Sequence, residues 1–185
     1  MIITGQSART PVGLKLLVEL AETLQAGVVD RKRRMNFPTR HPLNGGQANQ
    51  ADVVLALEAG YITTDARAAH SRNAKFISIS TNEMFLKSNY GDQMQFAEID
   101  LPITGDAEAS LPTLIEEVKK LITGDRQRVF QERGAKIAAA NRQTLNGRGR
   151  KRRMDGTPIP SARRGCRWNS GIRSRTKTGL SSQAG

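Results

Sequence analysis

The chain has 185 residues, 37% of them hydrophobic, and a mean hydropathy of −0.49, which suits one core with a tail and supplies no apolar run near the roughly 18 residues that cross a bilayer. Its one cysteine, Cys166, excludes an internal disulfide and, with no basic or hydrophobic leader at the start, sets the expectation of a soluble, cytoplasmic protein. The net charge of +12 raises nucleic acid as a partner, yet it is confined to one end: residues 1–140 hold 17 Lys and Arg against 16 Asp and Glu, and residues 141–185 hold 12 against one.

Met1 to Gln6 reads as a first strand, a short apolar run ending at a glycine. Pro11 to Gln25 then sets Val12, Leu16, Leu17, Leu20 and Leu24 at helical spacing, with Thr10 as N-cap and Pro11 at the first helical position. Ala26-Gly27 ends this helix where a left-handed cap residue is wanted, and Gly27 to Asp30 supplies a second strand, completing a right-handed βαβ unit. Arg31 to Gln50 is a long polar loop with Pro38, Pro42, Gly45 and Gly46, of a length found in functional or disordered segments. Asp52 to Glu58 and Lys75 to Ser80 read as third and fourth strands, apolar along their length as in strands covered on both faces. Phe96 to Ile103 is a fifth, Ser110 to Ile122 an amphipathic helix starting near Asp106 or Ser110, and Arg126 to Leu145 a more polar helix.

This alternation predicts an α/β fold: a Rossmann-like, doubly wound parallel sheet of about five to six strands with helices on both faces, over residues 1–124. A trailing helix or linker follows over 125–145. Residues 146–185 form a basic, apolar-poor tail that is expected to be disordered, because it buries too little surface to offset its ordering entropy.

Gly5-Gln6-Ser7-Ala8-Arg9-Thr10 joins the first strand to the first helix, where backbone N–H groups and the helix dipole can hold a phosphate with Arg9 beside it. Lacking the Gly-x-Gly-x-x-Gly spacing, it reads first as a structural turn. Asp30 stands at the end of the second strand, where a Rossmann acid meets a ribose, and Arg31-Lys32-Arg33-Arg34 behind it can meet a further phosphate; a solvated charge run is the plainer reading. His41 and His70 have no second histidine or cysteine at ligand spacing, so no metal site is predicted. No nucleophile elbow, Walker loop or His-Glu-x-x-His occurs, and Glu116-Glu117 are adjacent on a helix and do not face each other.

Two stretches, Ala8-Arg9-Thr10-Pro11-Val12-Gly13-Leu14 and Arg34-Met35-Asn36-Phe37-Pro38-Thr39-Arg40-His41-Pro42-Leu43, resemble the central domain of thiamine-diphosphate-dependent enzymes of the acetolactate synthase type. In that family a Phe-Pro-x-x-His-Pro-Leu segment follows the second strand, and Phe37, Pro38, His41 and Pro42 are similar to it in order and position. Ser78-Ile79-Ser80, Lys87-Ser88-Asn89-Tyr90 and Asp100 to Ala107 add to the likeness, which covers residues 1–145. The resemblance implies a scaffold domain. The glutamate that activates thiamine diphosphate lies on a preceding domain in the family, and the Gly-Asp-Gly segment that holds diphosphate and magnesium lies on a following one. No Gly-Asp-Gly occurs here, so no catalytic residue and no metal ligand carries over. Some family members hold FAD or ADP in this domain. After Asn141 the likeness lapses into Trp168-Asn169-Ser170-Gly171-Ile172-Arg173, and the abrupt enrichment in Arg, Ser and Gly is what a shifted reading frame produces.

Three functions are therefore expected, in order. The first is a fragment of a thiamine-diphosphate enzyme, inactive alone, whose partners are the missing domains or subunits and whose uncovered apolar surface promotes self-association. The second is a small FAD- or ADP-binding protein using Gly5, Arg9 and Asp30. The third is non-specific nucleic-acid binding through the tail.

Overall fold

The computed structural model describes residues 1–31, 36–60, 62–71, 73–81 and 98–154, with side chains through residue 147. Among these, five strands, β1 (Ile2–Thr4), β2 (Val28–Asp30), β3 (Val53–Leu57), β4 (Lys75–Ser80) and β5 (Leu101–Thr104), form one parallel sheet in the order β2-β1-β3-β4-β5. Helices α1 (Pro11–Leu24), α2 (Thr63–His70), α3 (Ala107–Leu121) and α4 (Gly124–Met154) accompany it. The fold is α/β and Rossmann-like.

Register decides which face each strand residue serves, because side chains paired across neighbouring strands point the same way. Ile2 pairs with both Val28 and Leu55, and Leu57 with Ile79. This face packs against Leu17, Leu20 and Ala21 of α1 and Leu111 and Ile115 of α3. The opposite face carries Ile3, Val54, Ala56 and Phe76, which pack on Ala66 and Ala69 of α2 and on Ala48 in a 3-10 turn at Ala48–Gln50. Both faces are covered, which explains the near-continuous apolar strands.

Helix α1 begins as its sequence predicts, with the Thr10 hydroxyl accepting from the Gly13 N–H at 3.0 Å. It ends differently. The left-handed residue is Gln25 (φ 48°) and not Gly27, and β2 starts one residue later than expected, at Val28. Helix α2 went unpredicted because Ala66, Ala68 and Ala69 give its buried side too little bulk to mark a period. Helix α3 starts at Ala107, capped by the Asp106 carboxylate, which accepts from the N–H groups of Glu108 (2.9 Å) and Ala109 (3.2 Å). Strand β5 covers the C-terminal part of the expected span and lies at the sheet edge with all four residues exposed; Phe96 falls outside the described residues, as do Lys87 to Tyr90.

A first compact unit runs from Met1 to Arg148 and takes in most of α4. One face of that helix is tied to the body. The Arg133 guanidinium donates to the carbonyls of Leu24 (2.5 Å) and Gln25 (3.3 Å), the α1 C-terminus where a cation is favoured. Gly134 lies where a Cβ would meet the Gln25 side chain, Ile137 joins the core, and the Asn141 amide donates to the His41 carbonyl at 2.8 Å. Helix α4 runs on to Met154, through Asn146, Gly147 and Gly149 and beyond the residue-145 end expected for it. The second unit, Gly149–Gly185, is described only for its helical start. Residues 155–185, with Cys166 and Trp168, lie outside the described residues. Among the described residues no helix is long and apolar enough to cross a membrane.

Asp100, just ahead of β5, gathers three donors: Lys75 Nζ at 2.8 Å, the Phe76 N–H at 2.8 Å and His70 Nε2 at 3.0 Å. The Lys75 ammonium, then the Phe76 amide, then His70 hold its carboxyl well below the usual carboxylate range. A folded pKa below the unfolded one means that the stabilisation is complete at neutral pH and drains away as pH falls through about 4 and below. Asp100→Asn is expected to lower the melting temperature at pH 7, with the gap to wild type narrowing below about pH 4; a gap independent of pH in thermal melts refutes the assignment.

Candidate functional site

In open α/β sheets ligands lie beyond the carboxyl ends of the strands, where successive connections leave for opposite faces of the sheet. Here that point is between β1 and β3, since α1 covers one face and α2 the other. The backbone closes it. Hydrogen bonding between the two strands continues beyond their ends, from the Gly5 N–H to the Leu57 carbonyl (2.9 Å) and from the Gln6 N–H to the Glu58 carbonyl (3.1 Å). A Cβ on Gly5 would run into the Glu58 carbonyl oxygen and come within 2.7 Å of Ala59 Cα, so only glycine fits. Glu58 itself adopts φ 44°, uncommon for a residue with a side chain. Its carboxylate accepts from the Ser80 hydroxyl at 3.2 Å and the Thr81 N–H at 3.3 Å, which anchors the turn across β4.

The Arg9 and Thr10 donors just ahead of α1 are also engaged. Glu108, in the first turn of α3, places its carboxylate over this helix end and accepts from the Arg9 N–H at 2.6 Å, the Thr10 N–H at 3.3 Å and the Thr10 hydroxyl. The Arg9 guanidinium pairs with Asp106 and approaches Glu108 at 3.8 Å. The Thr10 hydroxyl first, then the backbone N–H groups and Arg9, hold the Glu108 carboxyl below its ordinary value; Arg9 does the same for Asp106. A protein carboxylate thus occupies the place where a helix N-terminus would receive a phosphate.

Asp30, the residue placed to meet a ribose, accepts from the Asn36 N–H (3.0 Å) and the Asn36 side-chain amide (3.2 Å). That amide also donates to the Gly5 carbonyl at 2.6 Å, so Asn36 ties the ends of β1 and β2 together. Arg31 pairs with the buried Asp65 in the first turn of α2. Lys32 to Arg34 lie outside the described residues. The structure therefore brings Gly5 and Asp30 into one tethered cluster and sends Arg9 away to α3. Asn36, Glu58 and Glu108 escape a sequence reading. Asn36 and Glu108 act through contacts 31 and 98 or 99 residues away, and only the Asp106-x-Glu108 start of α3 hints at one of them.

The Phe37–Leu43 loop turns its two ends into the core. Phe37 is 1% exposed and Leu43 3%, both packed with α1 and the sheet. The Pro38 carbonyl accepts from the His41 N–H at 3.0 Å, closing a turn. The His41 ring stands edge-on to Phe37 at 4.8 Å. Its Nδ1 accepts from the Leu43 N–H (3.2 Å), which leaves the proton on Nε2 to donate to Glu22 (3.2 Å). The carbonyls of His41 and Pro42 receive the Asn141 amide of α4. After Leu43 the chain bonds along β2, from the Val28 N–H to the Leu43 carbonyl and from the Gly45 N–H to the Val28 carbonyl, both at 2.8 Å. Phe37 and Leu43 plug the gap beside β2 and α1, whereas Pro38 and Pro42 lie exposed and contribute backbone carbonyls, Pro38 to the His41 N–H and Pro42 to the Asn141 amide.

No protein-family model matches the chain, and no curated protein sequence matches it. Among the described residues no three His, Cys, Asp or Glu side chains are grouped to hold a metal ion.

Two substitutions test this geometry. Phe37→Ala is expected to destabilise the chain by about 3–5 kcal/mol in denaturant titration, the cost of emptying a fully buried aromatic site; a loss under about 1 kcal/mol is inconsistent with the plug. Glu108→Gln is expected to speed hydrogen exchange at the Arg9 and Thr10 amides while leaving β3 and β4 amides unchanged. Unaltered exchange at both positions shows that the carboxylate does not hold the helix end.

Proposed function

We propose that this chain is the central scaffold domain of a thiamine-diphosphate-dependent enzyme of the acetolactate synthase type, with no catalytic groups of its own. The observation that carries the reading is the Phe37–Leu43 segment. It follows β2, as the family segment follows the second strand, and its Phe, His and Leu are the residues that seat it. A parallel sheet covered on both faces is the architecture the resemblance implies, and β1, α1 and β2 supply its first βαβ unit.

The residues present do not fit thiamine diphosphate or magnesium. The described carboxylates at the sheet's carboxyl end are held by Arg9, Arg31, Asn36, Ser80 and Thr81 and form no metal-ligand group. Just ahead of α1 the Arg9 and Thr10 N–H groups are held by Glu108, and the Gly13 N–H by the Thr10 hydroxyl. No reaction step runs through this domain; it would bring the other domains into register. Exposed Val12 (64%) and Leu121 (65%), with Leu101 and Ile103 on β5, are apolar surface such neighbours would cover, and surface through which the chain alone would self-associate.

Replacing the central domain of an acetolactate synthase with residues 1–145 is expected to give a folded chimaera that retains turnover of 2-oxo acids. A chimaera that folds and binds cofactor yet does not turn over refutes the reading. The unmodified chain, titrated calorimetrically with thiamine diphosphate plus magnesium, is expected to give no saturable heat. Saturable heat with FAD or ADP would favour the nucleotide-binding alternative instead.

A further inference from the structure

At the amino ends of β1, β2 and β3, opposite the crevice where such folds bind ligands, α4 and the Gly46–Asp52 segment enclose a cavity of about 400 Å³. That volume is in the range of small-molecule sites. Ala26, Ala51, Val129 and Ile137 give it apolar walls. Glu132 and Lys136 stand on its α4 side, and Gln47, Gln50 and Asp52 on the other.

The charges there are arranged unusually. Glu132 and Lys136 are one turn apart in the favourable order, acid before base, in which such residues ordinarily pair. On α3 the same spacing does pair, Glu116 with Lys120 at 3.2 Å. On α4 neither Glu132 nor Lys136 forms an ion pair with any described residue, and both line the cavity. Arg133, between them, is spent on the α1 carbonyls. Burial first, then Arg133, lowers the Met1 amino group to about 6, so at neutral pH it is mostly uncharged and bonded to the Val53 carbonyl at 2.8 Å. Among the described residues the mouth therefore offers, besides Arg133, one cation, Lys136, and two carboxylates, Glu132 and Asp52, none of these three in an ion pair, above an apolar interior; Asp52 also accepts from the Val53 N–H at 3.1 Å.

A ligand of matching chemistry carries both charges and an apolar body. We propose that this cavity binds an α-amino acid with an apolar side chain, its carboxylate on Lys136, its ammonium on Glu132, and its side chain against Ala26, Ala51, Val129 and Ile137. A purely anionic ligand would leave Glu132 facing its charge, and a purely cationic one would leave Lys136 in the same position.

The test is calorimetric titration of the full chain with L-phenylalanine, beside 3-phenylpropanoate, which lacks the ammonium, and 2-phenylethylamine, which lacks the carboxylate. Saturable one-to-one binding of L-phenylalanine is expected, with each one-charge analogue weaker by about tenfold or more. Glu132→Gln and Lys136→Ala, both on the exposed side of α4, are expected to melt like wild type and to lose about tenfold in affinity for the amino acid. Glu132→Gln should leave 3-phenylpropanoate binding undiminished, which a structural effect on the helix would not do. Equal affinity for all three compounds, unchanged affinity in both variants, or no saturable heat with L-phenylalanine overturns the proposal.

Discussion

The close approach of β1 to β3 at Gly5 is the constraint on which the carboxyl end of the sheet depends. Because the two backbones stay hydrogen-bonded past the last strand residues, the turn after β1 cannot open into a loop around a ligand. It must instead run directly to Thr10, which fixes the start of α1. The same approach holds Glu58 in a left-handed conformation, a strain of order 1–3 kcal/mol that persists because Ser80 and Thr81 hold its carboxylate. Asn36 completes the arrangement by linking the Gly5 carbonyl to Asp30, so hydrogen bonds join the ends of β1, β2 and β3.

Electrostatics at this edge is settled inside the chain. The N-terminus of α1 carries about half a positive charge, and the Glu108 carboxylate, covalently part of the same molecule, meets it at a local concentration no free anion matches in solution. A diphosphate would have to displace Glu108 and separate Arg9 from Asp106, leaving both acids unpaired beside the newcomer. The chain's own carboxylates and guanidinium group thus fill the space a bound phosphate would take.

Local signals in the sequence carried most of the architecture. Thr10-Pro11 announced the start of α1, the apolar run at Lys75–Ser80 matches β4 residue for residue, and Lys119-Lys120 closed α3 as its dipole asks. The failures have physical causes. An alanine-rich helix such as α2 buries a face that no hydropathy period reveals, and Gln25 takes the left-handed role beside a glycine better suited to it because Gly27 packs against the Gly45 carbonyl. At the candidate site, glycine and Asp30 could be placed by their position after strands, whereas the partners that occupy them, Asn36 and Glu108, come from loop and helix residues with no local signature. The loop Phe37–Leu43 could be read as long and proline-punctuated, but its tie to α4 depends on Asn141, far along the chain.

That last tie bears on synthesis. Asn141 and the His41 carbonyl are 100 residues apart, and Arg133 reaches back 108 and 109 residues to the end of α1. While the nascent chain leaves the ribosome from its N-terminus, the five described strands and α1 to α3 emerge before the helix that caps α1 and pins the proline-rich loop. The body must therefore wait, at roughly 5–20 residues per second, with the α1 carbonyls and the loop still open to solvent. The long separation of these contacts makes the docking of α4 a late event in the life of each molecule.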